Sequence, residues 1–112
     1  MARDRIHDDT EFRELRKMFV LEAREGLAEL RSLLEAAGDS LPTGGRGIRF
    51  RKLAHDLRGA GGSYGFPIVS LYAGEAEEMY VERGPPPAVR TVVEMLGQSL
   101  RQAGDIVGLP EA

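Results

Sequence analysis

A chain of 112 residues, 42% hydrophobic and 29% charged, is long enough for one hydrophobic core but not two and has the composition of an ordinary soluble globular protein. The net charge of −3 argues against general nucleic-acid binding, and the absence of cysteine excludes a disulfide framework or a thiolate metal site and fits a reducing cytoplasm. No apolar run is long enough for a membrane span, and Met1-Ala-Arg-Asp-Arg5 is too charged to open a signal peptide, so the expectation is one free-standing cytoplasmic domain over 1–112.

Met1 to Asp8 is polar and expected to fray. His7 beside Asp8 and Asp9 is a weak metal-binding pattern, for which a solvated chain end is the simpler reading. From about residue 10, Phe12, Leu15, Phe19, Ala23, Leu27, Leu30 and Leu34 recur at steps of three and four. That spacing predicts an amphipathic helix over 10–37, stopped by Gly38, whose stripe suits a bundle core better than a coiled-coil seam. Asp39 to Gly47 reads as a loop, and a second helix follows over about 46–64.

Gly65-Phe66-Pro67 breaks the second helix, and Pro67 suits the first position of a third, over 67–82. There Ile68, Leu71, Tyr72, Ala76 and Met79 are expected to face inward, with Glu75, Glu77, Glu78 and Glu82 at polar positions. Arg83-Gly-Pro-Pro-Pro87 is a turn into a fourth helix over 87–103, carried by Val89, Val92, Val93, Leu96, Leu100 and Ala103. Gly104 is the expected stop and Gly108 to Ala112 a tail. Val92-Val93 is a β-prone pair, but the three-four spacing around it outweighs that preference. Four amphipathic segments with short connections predict an all-α protein, an antiparallel up-down-up-down four-helix bundle.

The second helix holds the chemistry. A turn of about 100° per residue puts His55 on one face with Arg51, Lys52, Arg58, Gly59 and Gly62, and puts Phe50, Leu53, Leu57, Ala60 and Tyr64 on the other. His55 is thus expected in solvent, among cations and residues with almost no side chain. A neutral imidazole is a nucleophile near neutral pH, and a phosphoryl group on it gains from nearby guanidinium and ammonium groups. Glycine weakens a helix interior by about 1 kcal/mol relative to alanine, so Gly59, Gly61 and Gly62 need another reason: partner access, a kink or close helix packing.

Around the histidine, Arg46, Arg49, Arg51, Lys52 and Arg58 face only Asp56, a basic patch in an acidic protein that points to an anionic partner surface. Competing chemistries fit poorly. The run Gly59-Ala-Gly-Gly-Ser-Tyr-Gly65 lacks the spacing of nucleotide-binding glycine loops and follows no strand. A metal site would need carboxylates converging on His55, where cations stand instead.

His55-x-x-Arg58-Gly59 followed by Gly65 resembles the histidine, basic residue and glycine of histidine-containing phosphotransfer (HPt) domains, with a later glycine ending the helix. The resemblance runs from about Phe50 through Gly65-Phe66 to Glu77, at a spacing similar to that of the HPt domain of chemotaxis kinases. Two positions depart from the pattern: Arg58 replaces the commoner lysine, and Asp56 stands where a small hydroxyl residue is usual. Arginine keeps the charge but presents a planar fork instead of a point charge.

The resemblance implies a phosphocarrier. His55 would accept a phosphoryl group from a receiver-domain aspartate or a histidine kinase and pass it to another receiver, with Arg58 holding the phosphoryl oxygens and Arg51 and Lys52 adding field. Glu77 would fix the imidazole tautomer, Gly59 would open the site to the partner, and Gly62 would extend the docking face. The response-regulator receiver domain would supply Mg²⁺ and the acidic pocket, so no intrinsic cofactor or metal is expected. No ATP-binding segment is present, which argues against autonomous kinase activity. Family precedent favours a monomer. The alternative is a helical adaptor that is never phosphorylated and binds a kinase or response regulator through the same face.

Overall fold

The computed structural model describes residues 2–111, with side chains for 10–111. All regular structure among the described residues is helical: α1 (Ala2–Ala37), α2 (Gly44–Ser63), α3 (Pro67–Val81) and α4 (Pro86–Val107). Gly38, Gly65 and Gly108 mark three of the helix ends at φ of 64°, 80° and 76°, a left-handed conformation that glycine reaches without a Cβ clash. Pro67 and Pro86 occupy first helical positions, where the missing N–H has no intrahelical partner to lose.

Two helix limits differ from expectation by more than two residues, while α2 begins at Gly44 inside the expected loop. α1 begins at Ala2, not near residue 10, because no glycine or proline interrupts the chain before Gly26 and polarity alone does not end a helix. The His7 cluster lies outside the described side chains. α4 runs through Gly104 to Val107; the N–H of Leu109 reaches Gly104 O at 2.8 Å and that of Gly108 reaches Asp105 O at 3.2 Å, so the stop is at Gly108. Gly104 is a buried position under the Arg24 guanidinium.

α1 and α3 each run alongside both α2 and α4, so that α1 faces α3 and α2 faces α4 across the core. The centre is filled by Val20, Leu30, Phe50, Val69, Val89, Val93, Leu96 and Leu100. Between α1 and α2, Arg49 donates to Glu29 at 2.8 Å, while the Phe19 ring stacks on Tyr64 at 5.4 Å. Between α1 and α4, Arg90 donates to Leu34 O and to Gly38 O, Arg31 grips Glu94 at 2.9 and 3.1 Å, and Arg24 lies over Gly104.

The inner faces of α1 and α3 depart from the periodicity. Phe12 and Leu15 are exposed, and α1 turns inward from Phe19 and Val20. Phe12 meets Tyr64, the C-cap of α2, at the end of that helix. On α3 the buried face is Val69, Ala73, Gly74, Ala76 and Glu77, whereas Ile68 and Leu71 are exposed and Tyr72 and Met79 are half-buried. Small residues explain the rotation, since a Cβ at Gly61 would lie 3.0 Å from Ser70 N, and only small groups fit so close a crossing of α2 and α3.

Candidate functional site

Phe50, Ala54, Leu57 and Gly61 turn α2 toward the core, which leaves His55 pointing away from it. The His55 side chain is 67% exposed, while that of Glu77, arriving from the buried face of α3, is only 9% exposed. They meet at the seam of the two helices, with His55 Nδ1 2.9 Å from Glu77 Oε2 and 3.2 Å from Oε1. A carboxylate only accepts, so Nδ1 carries the proton and donates it. In the neutral ring that arrangement leaves the lone pair on Nε2, to which no described residue is bonded.

A buried carboxylate needs compensation, and this one has three neighbours. Besides His55, Arg58 Nη1 stands 3.6 Å from Oε1 and Arg51 Nε stands 4.0 Å from Oε2. Arg58 Nη1 is also 3.5 Å from Glu78 Oε1, and the Arg58 carbonyl accepts a 2.8 Å hydrogen bond from Ser70 Oγ.

The basic run is divided among several acidic partners. Arg51 and Arg58 turn to Glu77, Lys52 pairs with Asp56 at 3.2 Å, and Arg49 crosses to α1. The Arg49 hydrogen bond holds the Glu29 carboxyl below its ordinary range and lifts the Arg49 guanidinium above its own. Asp56, one of the two departures from the family pattern, is engaged by Lys52. An open cleft of about 480 Å³ runs from His55 past Arg51 and Lys52 to Tyr80.

The glycines divide by environment. A Cβ at Gly59 would meet nothing within 4 Å, and one at Gly62 only Ser70 Oγ at 3.7 Å, so both leave open surface beside His55. Gly61 is instead a packing residue, held against Ser70 and Val69. Sequence reasoning overlooked Gly74, buried beneath the Arg58 side chain. Its signal was available: it is the lone glycine of the third helix, away from either end.

Among the described residues, four helices present one imidazole on the bundle surface, its Nδ1 set against a carboxylate from the next helix, and define a small helical protein with an exposed histidine at a helix seam. The family model described as Hpt domain matches residues 14–106, which include His55, Arg58, Gly59 and Glu77. The chain belongs to the Hpt domain family. Comparisons with curated proteins and with solved structures find no match. Family membership places the chain in histidine phosphotransfer within phosphorelay signalling, as a phosphocarrier instead of an autonomous kinase, with receiver and kinase proteins as its kind of partner. Among the described residues no helix is long and apolar enough to cross a membrane.

Proposed function

We propose that His55 carries the phosphoryl group between a histidine kinase and receiver-domain aspartates of a cytoplasmic two-component system. The chain would do so as a monomer and as one domain over 1–112, with helices running up, down, up and down. Support for that topology comes from the contact order, in which Phe19 meets Tyr64 while Glu29 meets Arg49, and Leu34 meets Arg90 while Arg24 meets Gly104. The observation that carries the functional reading is the 2.9 Å bond from His55 Nδ1 to Glu77, because it frees Nε2 for attack.

In the transfer, Nε2 attacks the phosphorus of an aspartyl phosphate. The N–P bond forms as the P–O bond to the aspartate breaks, and the carboxylate departs with the electron pair. The ring then bears a positive charge with its proton still on Nδ1, and Glu77 stabilises it; the reverse steps return the group. Arg58 would hold the phosphoryl oxygens. Its contacts at 3.5 and 3.6 Å are longer than the roughly 2.8 Å of a tight charged hydrogen bond, so the fork is free to turn. Arg51 and Lys52 add field, and Gly59 and Gly62 clear the approach. Mg²⁺ belongs to the receiver, where it neutralises charge on the transferring group.

The test is transfer from a phosphorylated receiver or kinase to wild-type protein and to a folded His55→Ala variant. Acid-labile label on the wild type alone is the expected result. Label on neither protein, with receiver binding retained by both, would favour the adaptor reading.

A further inference from the structure

Nothing in the backbone of α3 calls for glycine at position 74, which is not among the glycines at positive φ. Glycine is the poorest helix former after proline, so its place inside a 15-residue helix needs a reason from packing. A Cβ there would lie 3.2 Å from both Cδ and Nε of Arg58 and 3.5 Å from Cζ. Ordinary carbon contacts are about 3.5–4.0 Å, and all three nearest atoms belong to this one side chain. Gly61 differs, since its nearest neighbours include the backbone of α3. The space left open at Gly74 is therefore a seat for the stem and fork of Arg58.

We propose that Gly74 is a positioning residue for phosphoryl transfer: it lets Arg58 lie flat on α3, within reach of Glu77 and Glu78 together, so that the guanidinium waits beside His55. The proposal rests on the reading of Arg58 as the group that holds the phosphoryl oxygens. A planar fork needs a flat surface to lie on, and a methyl group at position 74 lifts it away from that place. The Arg58 side chain is half exposed and unbranched, with room to move without disturbing the bundle. The consequence falls on where the charge sits and not on whether the protein folds.

The experiment is a double-mutant cycle over Gly74→Ala and Arg58→Ala. Its readout is the rate of His55 phosphorylation by phosphoramidate, a small donor that needs no docking face; the donor P–N bond breaks, ammonia leaves and the Nε2–P bond forms. Gly74→Ala is expected to slow the wild-type background roughly fivefold and to change the Arg58→Ala background less than about twofold, with no fall in melting temperature. Equal slowing in both backgrounds, or no slowing in the wild type, overturns the role of Gly74. An Arg58→Ala protein that reacts at the wild-type rate removes Arg58 from the site and the seat with it.

Discussion

In the proposed transfer, His55 and Glu77 divide one task between two helices: the imidazole supplies the nucleophile, and the carboxylate decides which nitrogen it is. Loss of that hydrogen bond removes about 1.5 kcal/mol of orientation, so Glu77→Ala is expected to slow phosphoryl acceptance roughly tenfold while cooperative thermal unfolding persists. Unchanged kinetics would remove Glu77 from the site. Gly59 offers a different experiment, because its Cβ position is open. Gly59→Ala is expected to raise stability by about 1 kcal/mol in a denaturant titration and to slow transfer from a receiver, while phosphorylation by phosphoramidate is unchanged. Equal loss with both donors would contradict a role in access. His55, Arg58 and Gly59 were legible because all three lie within one turn of one helix, where rotation alone fixes their common face. The burial of Glu77 was not, since it sits in an acidic run that reads as solvated surface and only the crossing of α2 and α3 encloses it.

At the scale of the helices, sequence periodicity located four segments but not every face. The inner face of α4, though not its end, was read correctly because its buried residues are bulky and regularly spaced, from Val89 to Leu100. α3 was not, because its inner face is small: Ala73, Gly74 and Ala76 go inside, and the larger Ile68 and Leu71 stay out. Close approach of α2 and α3 selects small residues, and that approach is what brings Glu77 to His55. Gly47 serves the same crossing at its other end, where a Cβ would collide with the Tyr80 hydroxyl and stand 3.0 Å from Pro42 O. Tyr80 donates to Pro42 O at 2.7 Å and packs its ring against Phe50 at 5.0 Å, so it has no easy retreat. Gly47→Ala is therefore expected to destabilise the fold by about 2 kcal/mol and lower the melting temperature by roughly 10 °C. An unchanged melting curve would show that the crossing tolerates the methyl group.

For the molecule as a whole, the arrangement of the helices puts the reactive seam between α2 and α3 and leaves α1 and α4 to close the core behind it. Among the described residues no lid covers the histidine, which suits a carrier whose chemistry is completed by its partner. The net charge of −3 conceals the distribution that matters, in which a buried carboxylate collects an imidazole and two guanidinium groups. Net charge and composition convey none of this, because they contain no positions. On the proposed mechanism, this arrangement directs phosphorus to one nitrogen of one residue. The most direct test is ³¹P–¹⁵N correlation NMR on the phosphorylated protein with ¹⁵N-labelled histidine. A single phosphoramidate signal correlated with Nε2 of His55 is expected; phosphorus on Nδ1, or on a carboxylate oxygen, would overturn the proposed mechanism.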